Sequence, residues 1–374
     1  MIVTSTNAVY YLIERGFLTY ESAVDGDLMV VSSASNHRNT QVIRKHNPGF
    51  FMKQVQKWEM PIISSLQREA TCYWLAYNDD DFASITTLLP KYYYYDLNKH
   101  LLVIELLSDG ENLFQYCLRI GACPVKLASQ LAVALGTYHN QAGARMKQSS
   151  QTSSLTKTIP WILSIHQMPA AQATFNASSL ELLAYIQSNN QFYYALDTLQ
   201  KRWRYDSFIH GDIKFDNFII ESQNDADGEF SFKIIDWELA GFGDAGWDLG
   251  SAFQAFITFP LISMQAISGQ LPTNMQGLMQ LSSKEMRAAI REFWITYAGT
   301  LQINENALGE YLERSIKYGA ARMMQLAFEC MESLNGNEPS YHVNIIKAKA
   351  YCLAIVALDI LQNPVNALQS LFVE

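Results

Sequence analysis

His210-Gly211-Asp212-Ile213-Lys214-Phe215-Asp216-Asn217 fits the pattern H-x-D-x-x-x-x-N, and Asp236, nineteen residues past its asparagine, stands in Ile234-Ile235-Asp236-Trp237-Glu238. Phosphoryl transfer asks little covalent chemistry of a protein and a great deal of placement. One carboxylate orients the attacking hydroxyl and takes its proton, a second carboxylate and an amide oxygen hold magnesium, and a lysine steadies the moving phosphoryl group. Asp212, Asp236, Asn217 and Lys214 supply those parts in that order. Around them, residues 207–210, 217–221 and 230–235 read as short strands, the last two joined by a polar loop containing Asp227-Gly228. Such a hairpin sets Asn217 at the start of one strand against Asp236 at the end of the next, so that both can reach one ion.

Upstream, residues 1–107 read as strand-rich with one helix. Strands over 28–33 and 40–45 flank the polar loop Ala34-Ser35-Asn36-His37-Arg38-Asn39, and 49–55 is a third strand. Ser64-Ser65-Leu66-Gln67 offers a capping box for a helix with Leu66, Ala70, Tyr73, Trp74 and Tyr77 at helical spacing. Residues 91–95 and 100–106 form a hairpin about Asp96-Leu97-Asn98-Lys99. From 108 the pattern turns helical. Pro124 opens a helix with Leu127, Leu131, Leu135 and Tyr138 on one face. His139 reads as a hydrogen-bonded core residue, and Met323, Met324 and Met331 as helix core. Residues 147–159, rich in Ser, Thr, Gln and Lys, read as a mobile connection.

The pair of motifs resembles the aminoglycoside phosphotransferase and choline kinase group, relatives of protein kinases. The resemblance implies an α+β, bilobal protein-kinase-like fold: a sheet lobe with one helix over 1–107 that binds nucleotide, and a larger, mainly helical lobe over 108–374 that binds acceptor. It implies Asp212 as base, Asn217 and Asp236 as magnesium ligands, and ATP as donor, with GTP left open. Asp248, in Gly246-Trp247-Asp248-Leu249-Gly250, resembles the aspartate that braces the catalytic-loop backbone. Lys53 resembles the strand lysine that holds the α- and β-phosphates, and Glu69, sixteen residues on, its ion-pair partner. Glu105 falls where backbone groups of the hinge would read adenine. The covering loop has no glycine, so Ser35 and Asn36 are the expected phosphate donors. Gly211 stands where many protein kinases carry the arginine that pairs with a phosphorylated activation loop, which implies activity without such phosphorylation.

The bulk numbers fit this reading. Of 374 residues, 49% are hydrophobic and 17% charged, an ordinary globular composition. A net charge of −9 disfavours a nucleic-acid partner. Residues 204–250 hold 11 acidic residues against 3 basic, which favours a cationic acceptor. Five cysteines without a CxxC pair point to a reducing cytoplasm, and Met1-Ile2-Val3-Thr4-Ser5 lacks the basic start of a signal peptide. The most apolar stretch, 253–267, is broken by Gln254, Thr258, Pro260, Ser263 and Gln265 and reads as buried helix, not as a membrane span. Gly241-Phe242-Gly243-Asp244-Ala245-Gly246 imitates a dinucleotide fingerprint, but no acid follows about 20 positions on, as that fold requires. The expected activity is transfer of a γ-phosphoryl group to a hydroxyl of a small molecule: an amino sugar, a choline-like amine or a sugar. A kinase for Ser or Thr in a peptide is the variant, and a non-catalytic nucleotide-binding module the alternative of another class. Oligomeric state is not legible.

Overall fold

The computed structural model describes residues 2–34, 37–145, 155, 157, 159–169, 171, 173–224, 229–267, 269–334 and 336–372. Two compact units interleave along the chain. One comprises Met1–Leu113, Arg145–Thr156 and Asp216–Ala240, the other Phe114–Ala144, Lys157–Phe215 and Gly241–Glu374. The expected division at 107/108 treats the chain as two consecutive stretches, whereas here a later hairpin returns to the first unit. In chain order the elements are α1 (Ala8–Glu14), α2 (Tyr20–Val24), β1 (Leu28–Ala34), β2 (His37–Arg44), β3 (Gly49–Val55), α3 (Met60–Asn78), α4 (Ala83–Thr86), β4 (Tyr92–Asp96), β5 (Leu101–Leu106), β6 (Glu111–Asn112), α5 (Leu113–Ile120) and α6 (Val125–Arg145). They continue with α7 (Ala177–Gln187), α8 (Asn190–Lys201), β7 (Ser207–Ile209), β8 (Phe218–Asn224), β9 (Glu229–Ile234), β10 (Gly241–Gly243), α9 (Ala245–Ser263), α10 (Met275–Gln280), α11 (Lys284–Thr300), α12 (Glu305–Glu332), α13 (Ser340–Gln362) and α14 (Pro364–Phe372).

The first unit is built on an antiparallel sheet of order β1-β2-β3-β5-β4. Alternation along β3 sends Phe50 and Met52 into a core with Val42, Leu101, Val103, Tyr11 and Leu12, and leaves Phe51 and Lys53 on the opposite face. The two short helices α1 and α2 are not foreshadowed by the sequence pattern. α1 is tied to the β4–β5 turn by Asp96, which accepts from Tyr11 Oη at 2.9 Å and Arg15 Nη2 at 2.8 Å. Strand β2 starts at His37, inside the expected loop, because Ser33 pairs with Asn39 and Ala34 with Arg38. Ser35 and Asn36 lie outside the described residues, as do the Asp227-Gly228 turn and most of 147–159.

Helix α3 also begins earlier than the capping box suggests. Glu59 is its N-cap and Pro61 sits in its first turn, where a missing N–H costs nothing. Ser64, the expected cap, thus lies inside the helix, and the neighbouring Ser65 hydroxyl donates to Glu238 Oε2 at 3.0 Å. The helix buries Leu66, Glu69, Ala70, Cys72 and Tyr73. Glu69 is carried inward by its three-residue spacing from Leu66. A second sheet of order β6-β8-β9 completes the unit, with Phe218 opposite Ile234 and Ile235 N donating to Asn217 O at 2.9 Å.

The second unit is mainly helical. α9 is apolar on nearly every side and buried almost throughout, the pattern of a central helix. It crosses α12 at backbone contact: a Cβ on Gly250 would lie 2.4 Å from Ser315 O, and one on Gly319 would lie 2.8 Å from Gly250 O. The glycines of the false dinucleotide fingerprint form β10, paired with β7, and the Asp244 cap of α9, whose carboxylate accepts from Gly246 N at 2.9 Å. No described helix is long and apolar enough to cross a membrane.

Candidate active site

In the first unit the chemistry gathers on Lys53. Its Nζ lies 2.8 Å from Glu69 Oε2, 2.6 Å from Asp236 Oδ1 and 3.5 Å from Glu238 Oε2. Strand β3 delivers the lysine, the buried face of α3 delivers Glu69, and the turn after β9 delivers Asp236 and Glu238. Asp236 adopts a left-handed conformation, φ 68° and ψ 50°, which aspartate tolerates better than bulkier residues. These residues border a cleft of about 300 Å³, lined by Lys53, Glu69, Tyr73, Glu105 and Asp236 with the apolar Phe51, Ile104, Leu106, Ile219 and Ile235. The Glu105 carboxylate accepts from Lys91 N at 3.1 Å, so its side chain ties down the start of β4.

The three acids Glu69, Asp236 and Glu238 offer oxygens all within 4.8 Å of one another. Burial lowers the Lys53 pKa, but Glu69, Asp236 and Glu238 outweigh it and hold the ammonium well above its ordinary value. Burial pushes Glu69 up to about 7, against the pull of Lys53. Burial also raises Glu238, yet the hydrogen bond from His37 and the charge of Lys53 bring it down to about 2. Glu238 is held from several sides: His37 Nε2 at 3.3 Å, Ser65 Oγ at 3.0 Å, and Arg68 Nη1 donating to its backbone carbonyl at 3.0 Å. Asn217 is buried and Asp236 is 35% exposed at the side chain. A carboxylate and an amide oxygen are the hard donors magnesium takes, so this pair fits that ion.

In the second unit the chemistry gathers on Asp212. Oδ2 accepts from Lys214 Nζ at 2.7 Å and Oδ1 from Arg322 Nη2 at 2.8 Å. Burial raises this carboxyl, but Arg322 and then Lys214 outweigh it and hold it down at about 2. Lys214 is raised in turn, Asp212 overcoming burial. The loop carrying Asp212 is braced by Asp248, whose oxygens accept from His210 N at 2.7 Å and Gly211 N at 2.9 Å. Trp247 Nε1 donates to Gly211 O at 2.9 Å, and Asp212 N donates to His210 Nδ1 at 3.2 Å. Gly211 has φ 84°, a conformation that explains glycine there. Asp248 is itself held by Tyr138 Oη at 2.6 Å and by His139 Nε2 at 3.2 Å, with His139 Nδ1 also 2.8 Å from Tyr297 Oη.

Three participants are not anticipated by the sequence reading. Arg322 lies 110 residues from Asp212 in a helix that reads as methionine core. Glu238 stands within the second motif but has no expected role. Arg68 reads as a surface charge, yet it anchors the turn after Asp236. The acid content of 204–250 and the tail of the second motif hint at Glu238, whereas nothing local marks Arg322.

Residues 124–268 match the family described as "Phosphotransferase enzyme family", a segment that contains Asp212, Lys214, Asn217, Asp236 and Asp248. No curated protein sequence matches the chain. Among solved structures, an ethanolamine kinase of Plasmodium vivax is similar with a TM-score of 0.55 at 12% identity, over 92% of this chain and 86% of that one. A choline/ethanolamine kinase family protein of Mesorhizobium loti is similar with a TM-score of 0.50 at 10% identity, over 96% and 100%. A glucosamine kinase is similar with a TM-score of 0.50 at 11% identity, over 98% and 88%. At these identities the likeness bears on the fold, which is kinase-like.

Proposed function

We propose that this chain, a phosphotransferase of the aminoglycoside phosphotransferase and choline kinase kind, moves the γ-phosphoryl group of ATP to a hydroxyl of a small molecule that carries an amine or a sugar. The observation that carries the reading is Lys53: one buried ammonium in reach of Glu69 and Asp236, on the wall of a cleft sized for a small ligand.

Residues 1–107 are read as the nucleotide-binding lobe and 108–374 as the lobe of the catalytic loop and acceptor. Lys53, fixed by Glu69, binds phosphate oxygens, and the backbone around Glu105 meets the base. Asn217 and Asp236 would hold magnesium, which when bound would neutralise phosphate charge. Asp212 orients the acceptor hydroxyl and receives its proton. Lys214 leaves Asp212 to steady the phosphoryl group. The acid-rich stretch around these motifs favours a cationic acceptor.

The test is ADP release from ATP and magnesium across a panel of ethanolamine, choline, glucosamine, neutral sugars and Ser- or Thr-containing peptides, with acceptor mass followed for gain of a phosphate. A small molecule that gains phosphate supports the reading. Phosphorylation of peptides alone replaces it with the peptide variant. Nucleotide binding without ADP release under any condition identifies a non-catalytic module.

A further inference from the structure

We propose that Arg322 is a positioning residue for Asp212: it pins one carboxylate oxygen so that the other, Oδ2, is the oxygen that accepts the acceptor's proton. The inference rests on the reading of Asp212 as base. Both oxygens of Asp212 are engaged by cations of very different character. Oδ1 is bonded to Arg322, whose side chain is 1% exposed and whose other terminal nitrogen, Nη1, donates to Glu329 Oε1 at 2.7 Å. A planar guanidinium bridging two carboxylates has little freedom to leave either. Glu329 is steadied further by Gln325 Nε2 at 3.1 Å. Oδ2 is bonded to Lys214, which is 33% exposed and sits on a flexible four-carbon stem. Of the two cations, only the lysine can withdraw without dismantling a buried pair.

A merely structural ion pair would be needed to hold the loop, yet the loop backbone is already held. His210 N, Gly211 N, Gly211 O and Asp212 N are satisfied by Asp248, Trp247 and His210. Arg322 adds no bond to that backbone; among the described residues its hydrogen bonds go to the Asp212 and Glu329 carboxylates. Its action is thus on the side chain of the base. In the step itself, the acceptor O–H bond breaks and its proton passes to Asp212 Oδ2. The acceptor oxygen bonds the γ-phosphorus, the bond from that phosphorus to the bridging oxygen breaks, and the bridging oxygen leaves with the electron pair as part of ADP.

Phosphoryl transfer is measured as ADP release, with the acceptor found by screening or with water where no acceptor is found. Arg322→Met is expected to lower kcat on the order of 100-fold, the lower range for loss of a well-placed base, while KM for ATP and acceptor stays within about twofold. Arg322→Lys restores part of the rate, because one ammonium cannot bridge both carboxylates, and it decides the matter if Arg322→Met does not fold. In an Asp212→Asn background, Arg322→Met should cause no further loss, since the two act as one unit. Wild-type kcat in Arg322→Lys and in a folded Arg322→Met overturns the proposal, as does a loss that adds in full to that of Asp212→Asn. A rise in acceptor KM at unchanged kcat makes Arg322 a binding residue and also overturns it. If the wild-type chain releases no ADP to any acceptor or to water, the phosphotransferase reading itself fails, and this inference with it.

Discussion

In one unit a single ammonium, Lys53, is surrounded by three carboxylates; in the other a single carboxylate, Asp212, is held by two cations. The clusters are electrostatic opposites and they balance differently. Asp212 and Glu329 are matched by Arg322 and Lys214. Glu69, Asp236 and Glu238 outnumber Lys53 even when Arg68 is counted. The first cluster has carboxylate capacity to spare for a visiting cation, whereas the second is complete in itself and keeps its carboxylate ionised. Under the proposed function that difference has a use: the Lys53 cluster would admit a charged guest and Asp212 would serve as a fixed proton sink.

The largest break in the comparison should come from the second cluster. Asp212→Ala is expected to lower kcat about 10³-fold, within the range for removing a general base, with ADP affinity unchanged in calorimetry; an unchanged rate removes Asp212 from the mechanism. Next, Lys53→Met strands Glu69 in the core without its cation. Urea unfolding should show a loss of about 3 kcal/mol, the usual scale for breaking a buried pair from one side, and nucleotide affinity should fall with it. A variant as stable as wild type would mean that the acids do not depend on that ammonium.

A smaller effect sharpens the sign of the second cluster. Folded Asp212 has a pKa of about 2 against an ordinary 3.8. Above about pH 4 its contribution to stability is fully present. As the pH falls from there toward 2, the unfolded chain takes up a proton that the folded one refuses, and the contribution is lost. A pKa lowered by that much is worth about 2 kcal/mol. Comparing wild type with Asp212→Asn by urea unfolding from pH 5 to pH 2 should show the difference shrinking by that amount. The smallest expected effect is none: phosphatase treatment should leave turnover unchanged, because Gly211 cannot pair with a phosphorylated loop.

What can be read in the sequence is what lies close along the chain or repeats with a period. Asp212, Lys214 and Asn217 share eight residues, and the hairpin that returns Asp236 to the level of Asn217 follows from two apolar runs and a polar turn. Lys53 and Glu69 are reachable because β3 alternates and α3 has a helical face. Ser64 misleads because its pattern imitates a cap while the helix already starts at Met60. Arg322 is out of reach for a different reason. Its partner is chosen by how α12 crosses α9, and no local rule encodes a helix crossing. Ser35 and Asn36, the expected phosphate donors, lie outside the described residues and stay proposals.

The crossing of α9 and α12 has a practical corollary for redesign. Where Gly250 and Gly319 touch, neither can gain a methyl without lifting one helix off the other. Arg322 lies one turn beyond Gly319, so its reach to Asp212 is gauged by main chain rather than by side-chain fit. Anyone grafting a foreign acceptor-reading segment onto this scaffold should keep α12 intact through Arg322 and splice beyond it, since a transplant lacking the small residue would move the guanidinium before any new specificity could be tried.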